Sequence, residues 1–328
     1  MRPSLHFLRH LLPVAAALLT AAVPASVPAA DAPYPTQTIK LVVPFPPGGP
    51  TDIVARPFAE ALTRSLGKPV VIENRGGAGG NVGADNVAKA NPDGYTLLLG
   101  TVGTAAINPA LYARLSYDPR KDLAPVAILA AAPVALVAHP SVPANTVAEL
   151  LALAGRQSLR FGTAGNGTPG HLTGEMFKQA STAPLTHVPY KGSAAALQDL
   201  LGGHIELAFD PLQSVLPHVR AGKLKIIAIS SAEASPVLPQ VPTFAQAGVK
   251  VESTAWWGLF APAGTPRPIV DRLAAELQGA EQSGDVRQLE SIGLTLRQIA
   301  QPAALDAFLA AESTKWAKAV RDSGAKVD

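Results

Sequence analysis

Short apolar segments alternate with longer amphipathic segments along most of the chain from residue 39 onwards. The segment IKLVVPF precedes the helical pattern TDIVARPFAEALTRSLG, and KPVVIEN precedes the helical pattern NVGADNVAKANPDG. Apolar runs of about four or five residues between helices are typical of strands that are buried on both faces of a parallel sheet. The alternation therefore predicts an α/β fold.

A second alternating set begins with the strand APVALVAHP and continues to LKIIAISS. It is followed by VESTAWWGLFAPAG, which is typical of a long extended stretch, and then by segments that are mainly helical. This order predicts that the chain crosses into a second domain near residues 132–138 and returns near residues 252–261. We expect domain 1 to comprise residues 31–133 and 256–328, and domain 2 to comprise residues 134–255.

The first 30 residues have the composition of a secretory signal peptide: Arg2 and Arg9 precede the apolar run LLPVAAALLTAAV, and small residues follow. We predict export to the periplasm with cleavage after Ala30 or Ala32; an uncleaved anchor is the alternative, although the run is short and alanine-rich for one. Cleavage after Ala30 removes two arginines and no acidic residue, which lowers the net charge from +3 to +1. No Lys/Arg cluster with interleaved aromatic residues is present, so we expect no nucleic-acid partner.

Three turns that lead from a strand towards a helix are rich in glycine and threonine: PFPPGGPTD, GTVGTAAIN and GTAGNGTPGH. Glycine allows a ligand to approach the backbone closely, and the start of a helix offers unpaired N–H groups and the positive end of a dipole. This composition favours a site for an anion or a polar head group. Helix capping alone also requires such residues, so each turn has a purely structural explanation as well.

Other kinds of chemistry have weaker support. The turn NRGGAGGNVG has the spacing of some dinucleotide-binding turns, but the next strand ends at Thr101 and not at an acidic or basic selector, so we expect no nucleotide cofactor. The chain lacks cysteine, which excludes disulfides, thiol catalysis and cysteine-bound metals. His171 is a candidate either to face a ligand or to be an exposed cap residue, and Asp210 either accepts from a ligand or makes a turn. Because Trp256 and Trp257 are neighbours on an expected strand, at most one should face a cleft.

Five segments together resemble the Bug family, the periplasmic substrate-binding proteins of tripartite tricarboxylate transporters. They are YPTQTIKLVVPFPPGGPTDIVAR, VVIENRGGAGGNVGADNVAKANPDGYTLLLGT, FGTAGNGTPGHL, VPYKGSAAALQDLLGGHIELAFD and WWGLFAPAGTP. The resemblance implies a two-domain α/β periplasmic binding protein of the type II-like Venus flytrap kind, with two crossing segments and the ligand between the domains. The ligand-binding positions that it implies are Phe45, Gly48, Gly49, Thr51, Asp52, Thr101, Thr104, Gly162, Thr163, Gly165, Thr168, His171 and Asp210.

The resemblance implies a receptor that is not an enzyme and that delivers a small carboxylate to the membrane subunits of a transporter. A sensor kinase is the lesser alternative partner, and we expect a monomer without cofactor or metal. No arginine lies in the three turns, which favours neutral donors and is compatible with mono- or dicarboxylates, amino acids or aromatic acids. The rival hypothesis is an exported hydrolase or lyase that uses Asp52, His171 or Asp210. One departure is Pro57, which is expected to kink the first helix.

Overall fold

The computed structural model describes residues 34–327, so the predicted signal peptide lies outside the described residues. Strands and helices alternate through most of this part of the chain. In chain order they are β1 (Ile39–Val43), α1 (Pro50–Leu66), β2 (Val70–Asn74), α2 (Asn81–Ala88), β3 (Thr96–Thr101), α3 (Asn108–Leu111), β4 (Leu123–Ala138), α4 (Val147–Ala154), β5 (Leu159–Thr163), α5 (Pro169–Ser181), β6 (Leu185–Pro189), α6 (Ser193–Leu201), β7 (Leu207–Pro211), α7 (Leu212–Arg220), β8 (Lys225–Ile229), β9 (Thr254–Pro262), α8 (Arg267–Ala280), α9 (Gly284–Arg287), β10 (Thr295–Ile299) and α10 (Pro302–Ser323).

The strands form one sheet in the order β2-β1-β3-β9-β4-β7-β5-β6, and β8 and β10 also pair with β4. Strands β1, β2 and β3 are parallel to one another, as are β5, β6 and β7, whereas β9 is antiparallel to both β3 and β4. Two parallel groups with connecting helices confirm the predicted α/β fold class.

The long strand β4 belongs to both parts of the sheet. Up to Pro133 it pairs with β9 and β10, and from Val134 it pairs with β7 and β8. We call β1, β2, β3, β9, β10 and the first part of β4 the first half-sheet. The second half-sheet consists of β5 to β8 and the remainder of β4.

Two features of the strands were not predicted from the sequence. Strand β4 begins at Leu123, nine residues before the predicted start, and passes through Pro125 and Pro133. Proline removes a ladder donor, but Pro125 lies at a register irregularity and Pro133 lies where the partners change, so both positions tolerate the loss. The tail is mainly helical, as expected, but it also contains β10, which pairs with β4 and was not predicted. Its sequence TLRQI is only half-buried and lacks the apolar run that identifies a buried strand.

Each half-sheet has its own apolar core. In the first, Val42 and Leu98 pack with Phe260 of β9 and with Trp316 of α10. In the second, residues of α6, α7, β4 and β8 pack together. Helix α1 continues through Pro57 from Pro50 to Leu66, so the proline does not interrupt it. Among the described residues, no helix combines the length and apolarity needed to cross a membrane.

Candidate functional site

A cavity lies between the two half-sheets, at the carboxyl ends of parallel strands from both. It contains about 510 Å³ of empty space, including the mouth that opens to solvent. The carboxyl ends of strands are where open α/β sheets place their ligands. The lining residues are Phe45, Pro46, Gly49, Pro50, Thr51, Thr101, Ala255, Trp256 and Trp257 from the first half-sheet, and Ala164, Thr168, Pro169, Gly170, Gly192, Ser193, Ala194 and Pro211 from the second.

Three helices begin at this cavity: α1, α5 and α6. Gly49 is the N-cap residue of α1 and Gly192 is the N-cap residue of α6, and a glycine has no side chain that could accept a capping hydrogen bond. Helix α5 is capped by Thr168, whose hydroxyl accepts from the N–H of His171. The first turns of α1 and α6 therefore present backbone N–H groups and the positive ends of two dipoles to the cavity, which suits an anion.

No charged side chain and no histidine is among the described residues that line the cavity. Its polar side chains are Thr51, Thr101, Thr168 and Ser193, all of which are hydroxyl groups. An anion would therefore be held by backbone N–H groups and hydroxyls, without a guanidinium or an ammonium group. Neutral donors in a partly enclosed site can stabilise a carboxylate when several of them converge on it.

Two of these hydroxyls are oriented by bonds that they accept. Trp257 Nε1 donates to Thr51 Oγ1 over 3.1 Å, and the backbone N–H of Thr104 donates to Thr101 Oγ1 over 3.3 Å. Because each oxygen is already an acceptor, the hydroxyl proton is left to donate to a ligand. The hydroxyl of Thr168 differs, because it donates to the carbonyl of Gly165 over 2.7 Å. Thr51 and Thr101 are therefore the two threonine donors of the cavity.

The sequence profile of the tripartite tricarboxylate transporter family receptor matches residues 54–324. This chain belongs to that family. It is 37% identical over 298 residues to protein BugT of Bordetella pertussis, which covers 90% of this chain and 91% of BugT. Two solved structures are also similar: Rpa4515 of R. palustris with adipate (37% identity, TM-score 0.86, covering 90% of this chain and 100% of that one), and MatC (Rpa3494) of Rhodopseudomonas palustris with bound malate (37%, 0.84, 88% and 100%).

The family confirms the resemblance seen in the sequence motifs, and the similar structures confirm a periplasmic binding protein fold. The family consists of solute-binding receptors, so this receptor is not an enzyme. The side chains of the rival hypothesis also lie in separate hydrogen-bond networks. Asp52 bonds to Arg56, His171 bonds to Gly167, and Asp210 bonds to Ser193.

Of the thirteen predicted ligand-binding residues of this receptor, five line the cavity: Phe45, Gly49, Thr51, Thr101 and Thr168. The other eight do not line it, and most of them pack against or hydrogen-bond the turns that do. They are Gly48, Asp52, Thr104, Gly162, Thr163, Gly165, His171 and Asp210.

Asp52 holds the turn before α1. Its buried carboxylate accepts from the N–H of Gly48 over 3.0 Å, from Arg56 Nε over 2.9 Å and from Asn74 Nδ2 over 3.2 Å. Asn74 also donates to the carbonyl of Phe45 over 3.0 Å. With its oxygens occupied in this way, Asp52 fixes the turn that carries Gly49 and Thr51 and does not itself face a ligand.

Two stacked histidines hold the turn before α5. His171 is buried, so it is not an exposed cap residue; its Nδ1 accepts from the N–H of Gly167 over 3.2 Å. Its ring lies 4.4 Å from the ring of His187, whose Nε2 is 2.7 Å from Thr163 Oγ1. Burial lowers the pKa of His171 to about 4 and that of His187 to about 3. Both rings are therefore neutral near pH 7.

Glu175 lies with these histidines, and the three side chains are the group of potential metal ligands found among the described residues. The tautomer argues against a shared metal. Because Nδ1 of neutral His171 accepts a hydrogen bond, its proton is on Nε2, where it blocks coordination. The Glu175 carboxylate also accepts from Lys178 Nζ over 2.9 and 2.8 Å. These contacts favour a hydrogen-bonded support for the turn.

The predicted ligand-binding residues included none from the turn before α6, which does line the cavity. The expectation that at most one of Trp256 and Trp257 faces a cleft was wrong, because both residues of β9 line the cavity. Gly192 has φ +105°, a conformation that favours glycine, and Ser193 follows it at the cavity. The sequence signal was the strand–turn–helix junction in YKGSAAAL. On β9, the indole of Trp257 reaches Thr51, whereas that of Trp256 donates to Glu312 of α10 over 2.8 Å. The two tryptophans therefore have partners on different helices, although both residues border the cavity.

Two turns of the first half-sheet, at Gly79 and Gly103, lie against the turn of the second half-sheet that contains Asn166 and Gly167. A Cβ added to Gly79 would lie 2.2 Å from the carbonyl oxygen of Asn166, and one added to Gly103 would lie 2.7 Å from that of Gly167. Such distances leave no room for a side chain. The two glycines therefore permit the close approach of these turns of the two half-sheets.

A second and larger groove runs along β4, β9 and β10, with about 1380 Å³ of largely open space. Its charged lining residues are Glu233, Glu252, Glu290 and Arg297. Three carboxylates against one guanidinium give a negative surface that repels a carboxylate. The neutral cavity at the three helix starts is therefore the better site for an organic anion.

Proposed function

We propose that this receptor captures a small organic carboxylate in the cavity and delivers it to the membrane subunits of a tripartite tricarboxylate transporter. The observation that carries this proposal is the convergence of three helix starts on a cavity that has no charged side chain in its lining. Rpa4515 with adipate and MatC with bound malate support a dicarboxylate as the first candidate ligand.

The ligand bridges the two half-sheets in this proposal. Thr51 and Thr101 donate from the first half-sheet, and the start of α6 donates from the second. A ligand that contacts both sides binds the closed form better than the open form, so it shifts the population towards closure. The two domains of this motion are residues 31–133 with 256–328 and residues 134–255. The membrane subunits then recognise the closed form.

The receptor belongs to a family of periplasmic proteins, and we propose that residues 1–30 direct its export. Mass spectrometry of the protein recovered from the periplasm tests this directly. A mature chain that begins at Asp31 agrees with cleavage after Ala30, and one that begins at Pro33 agrees with cleavage after Ala32. A chain that keeps residues 1–30 contradicts cleavage.

The binding experiment is thermal unfolding of the mature protein with adipate, malate and their uncharged diamides. A ligand that binds only the native state stabilises it by about 2.7 kcal/mol at a hundredfold excess over the dissociation constant. We expect the dicarboxylate to raise Tm and the matching diamide to leave it unchanged. Stabilisation by the diamide alone contradicts an anion site at the helix starts.

A pair of matched variants locates the site. Thr101→Val removes a hydroxyl that lines the cavity, and Thr186→Val makes the same change at an exposed position of β6. We expect the first variant to bind the dicarboxylate at least about tenfold more weakly, which is the loss expected for one hydrogen bond to a charged group. Equal affinities in the two variants would place the ligand elsewhere.

The transporter partner requires a test in cells. Uptake of labelled dicarboxylate should fall in a strain that lacks the receptor and should return when the receptor is supplied. Unchanged uptake together with a loss of transcriptional response to the dicarboxylate would favour a sensor kinase as the partner.

A further inference from the structure

A buried carboxylic acid lies directly behind the start of α6. Asp210 ends strand β7 and is 3% exposed, and its Oδ2 is hydrogen-bonded to the hydroxyl of Ser193. Ser193 is the first residue of α6 and lines the cavity, as does Pro211 on the other side of Asp210. A single hydroxyl group therefore separates the carboxyl group of Asp210 from the space where a ligand would lie.

No cation balances Asp210 among the described residues. The elements packed against β7 are β4, β5, α5, α6 and α7. Strand β4 carries no ionisable residue, and the ionisable residues of the other four elements have partners of their own or lie in the last turn of α7. They are Arg160, which pairs with Glu206; His171, which bonds to Gly167; Glu175 and Lys178, which pair with each other; Asp199, which accepts from Tyr190; and His218 and Arg220 at the end of α7.

The protonation state of Asp210 decides what Ser193 can offer to a ligand. An ionised carboxylate only accepts hydrogen bonds, so the Ser193 hydroxyl donates its hydrogen bond to Asp210 and offers only oxygen lone pairs to the cavity. A protonated Asp210 donates to Ser193 Oγ instead, which frees the serine proton to donate to an anion. Burial without a counter-charge raises the pKa of Asp210 to about 7, although the Ser193 and Ser214 hydroxyls act against this.

We propose that binding of an anion at the start of α6 is coupled to the uptake of one proton by Asp210, through the hydroxyl of Ser193. The inference rests on the proposed function, because it concerns the same cavity. The proton comes from solvent, adds to the carboxylate of Asp210 and leaves again when the ligand dissociates. Asp210 acts as a positioning residue, since it acts on the ligand through Ser193.

Coupling of this kind is reciprocal: a ligand that raises the pKa of Asp210 binds more weakly when Asp210 is ionised. The affinity should therefore be constant below the pKa of the unliganded receptor and should fall up to about tenfold per pH unit above it. Adipate and malate suit the test, because both of their carboxyl groups are ionised above about pH 6.5. Any pH dependence between pH 6.5 and 8.5 then belongs to the receptor.

The experiment is calorimetric titration of the mature receptor with adipate and with malate at pH 6.5 and pH 8, in buffers of different ionisation enthalpy. The dependence of the heat on the buffer gives the number of protons taken up per ligand. From a pKa of about 7 for Asp210, we expect about 0.9 protons at pH 8 and about 0.25 at pH 6.5. This measurement needs no variant, so it does not depend on how a substitution affects folding.

Asp210→Asn adds a readout that a purely structural role would not move. The amide of asparagine donates permanently to Ser193, as the protonated acid does. We expect this variant to take up no proton and to bind about tenfold more tightly than the wild type at pH 8, with a much smaller difference at pH 6. Asp199→Asn is the matched control on α6, and it should keep the proton uptake of the wild type because Asp199 bonds to Tyr190, away from the cavity.

The outcomes separate this inference from the proposed function. Binding of adipate or malate without proton uptake, and with the same affinity at pH 6.5 and pH 8, contradicts the coupling and leaves the receptor function intact. Proton uptake that persists in Asp210→Asn assigns the proton to another group and overturns the role of Asp210. Failure of both dicarboxylates to bind at either pH contradicts the proposed ligand class, and the coupling with it.

Discussion

Replacing Thr51 by valine tests the first turn of α1 as a source of a ligand donor. The Thr51 hydroxyl is buried in the cavity wall, where it accepts from the indole N–H of Trp257 over 3.1 Å. Valine has nearly the same shape but neither donates nor accepts. The substitution therefore removes two interactions at once: the acceptor for a buried N–H group and the donor that we assign to the ligand.

The two losses have separate magnitudes. An unsatisfied buried N–H group costs about 1–3 kcal/mol, so Thr51→Val should lower the free energy of unfolding of the unliganded receptor by that amount. A hydrogen bond to a charged group contributes about 1.5–3 kcal/mol, so the variant should bind the dicarboxylate about 10- to 150-fold more weakly. The first value is measured by urea unfolding without ligand and the second by calorimetric titration.

A double-mutant cycle with Trp257→Phe assigns the stability loss. Phenylalanine has no N–H group, so in that background Thr51→Val should cost little stability. Thr51→Ser keeps both hydrogen bonds and should stay close to the wild type in stability and in affinity. A loss of affinity in Thr51→Ser as large as that in Thr51→Val would point to packing of the methyl group and would refute the assignment of the hydroxyl as a donor. Unchanged stability of Thr51→Val would refute the bond from Trp257.

Two further perturbations test the contact between the turns of the two half-sheets and the pair of supporting histidines. Gly79→Ala places a Cβ 2.2 Å from the carbonyl oxygen of Asn166, so it should hold the two half-sheets apart. The variant should bind the dicarboxylate at least about tenfold more weakly and should have a larger ligand-bound radius of gyration in solution scattering. Gly67→Ala is the control, because Gly67 has a similar φ (+67° against +63°) but open space around it, and it should change neither the affinity nor the radius. Burial lowers the pKa of His171 and His187, so below about pH 6.5 these histidines bind protons in the unfolded chain but stay neutral in the native state. Each histidine should therefore lower stability by up to about 1.4 kcal/mol per pH unit as the pH falls from 6.5 towards 4. Asp210 opposes this loss, because burial raises its pKa to about 7 and the native state then binds a proton that the unfolded chain does not bind until about pH 4. His187→Phe should therefore lose less stability than the wild type when urea midpoints at pH 7 and pH 5 are compared, and about half as much in an Asp210→Asn background. An equal loss in wild type and variant would assign the acid sensitivity to other groups.

Most of the fold was predictable because buried parallel strands carry contiguous apolar runs that local sequence reveals. Strand β10 was not predictable in this way, since TLRQI has only two apolar residues, which are separated by Arg297 and Gln298, and it lies half-exposed beside β4. The early start of β4 was hidden by Pro125 and Pro133, which local rules treat as strand breakers. Both prolines are tolerated because of what the neighbouring strands do, and that information is not local.

Five residues of the cavity lining could be predicted from the turns, but the parts of the lining that α6 and β9 supply, and the orientation of the hydroxyl groups, could not. Glycine, proline and threonine after a strand mark where a helix start can meet a ligand. Which side chain faces the cavity depends on partners that are distant in sequence. Thr51 is oriented by Trp257, which is 206 residues away, and Asp210 reaches Ser193 across 17 residues. Such pairings exist only once the two half-sheets are assembled.

Each of the three helix starts at the cavity is supported by an ionisable residue that does not itself line the cavity but hydrogen-bonds to a residue of the turn. Asp52 accepts from the backbone before α1, His171 accepts from the backbone before α5, and Asp210 bonds to Ser193 at the start of α6. Only the last of these bonds ends on a hydroxyl that itself lines the cavity. Protonation of His171 would disturb the shape of a turn, whereas protonation of Asp210 changes the hydrogen-bonding capacity of the cavity wall. The effect of pH on affinity near neutrality should therefore arise at α6, and the loss of stability in acid should arise at the stacked pair His171 and His187.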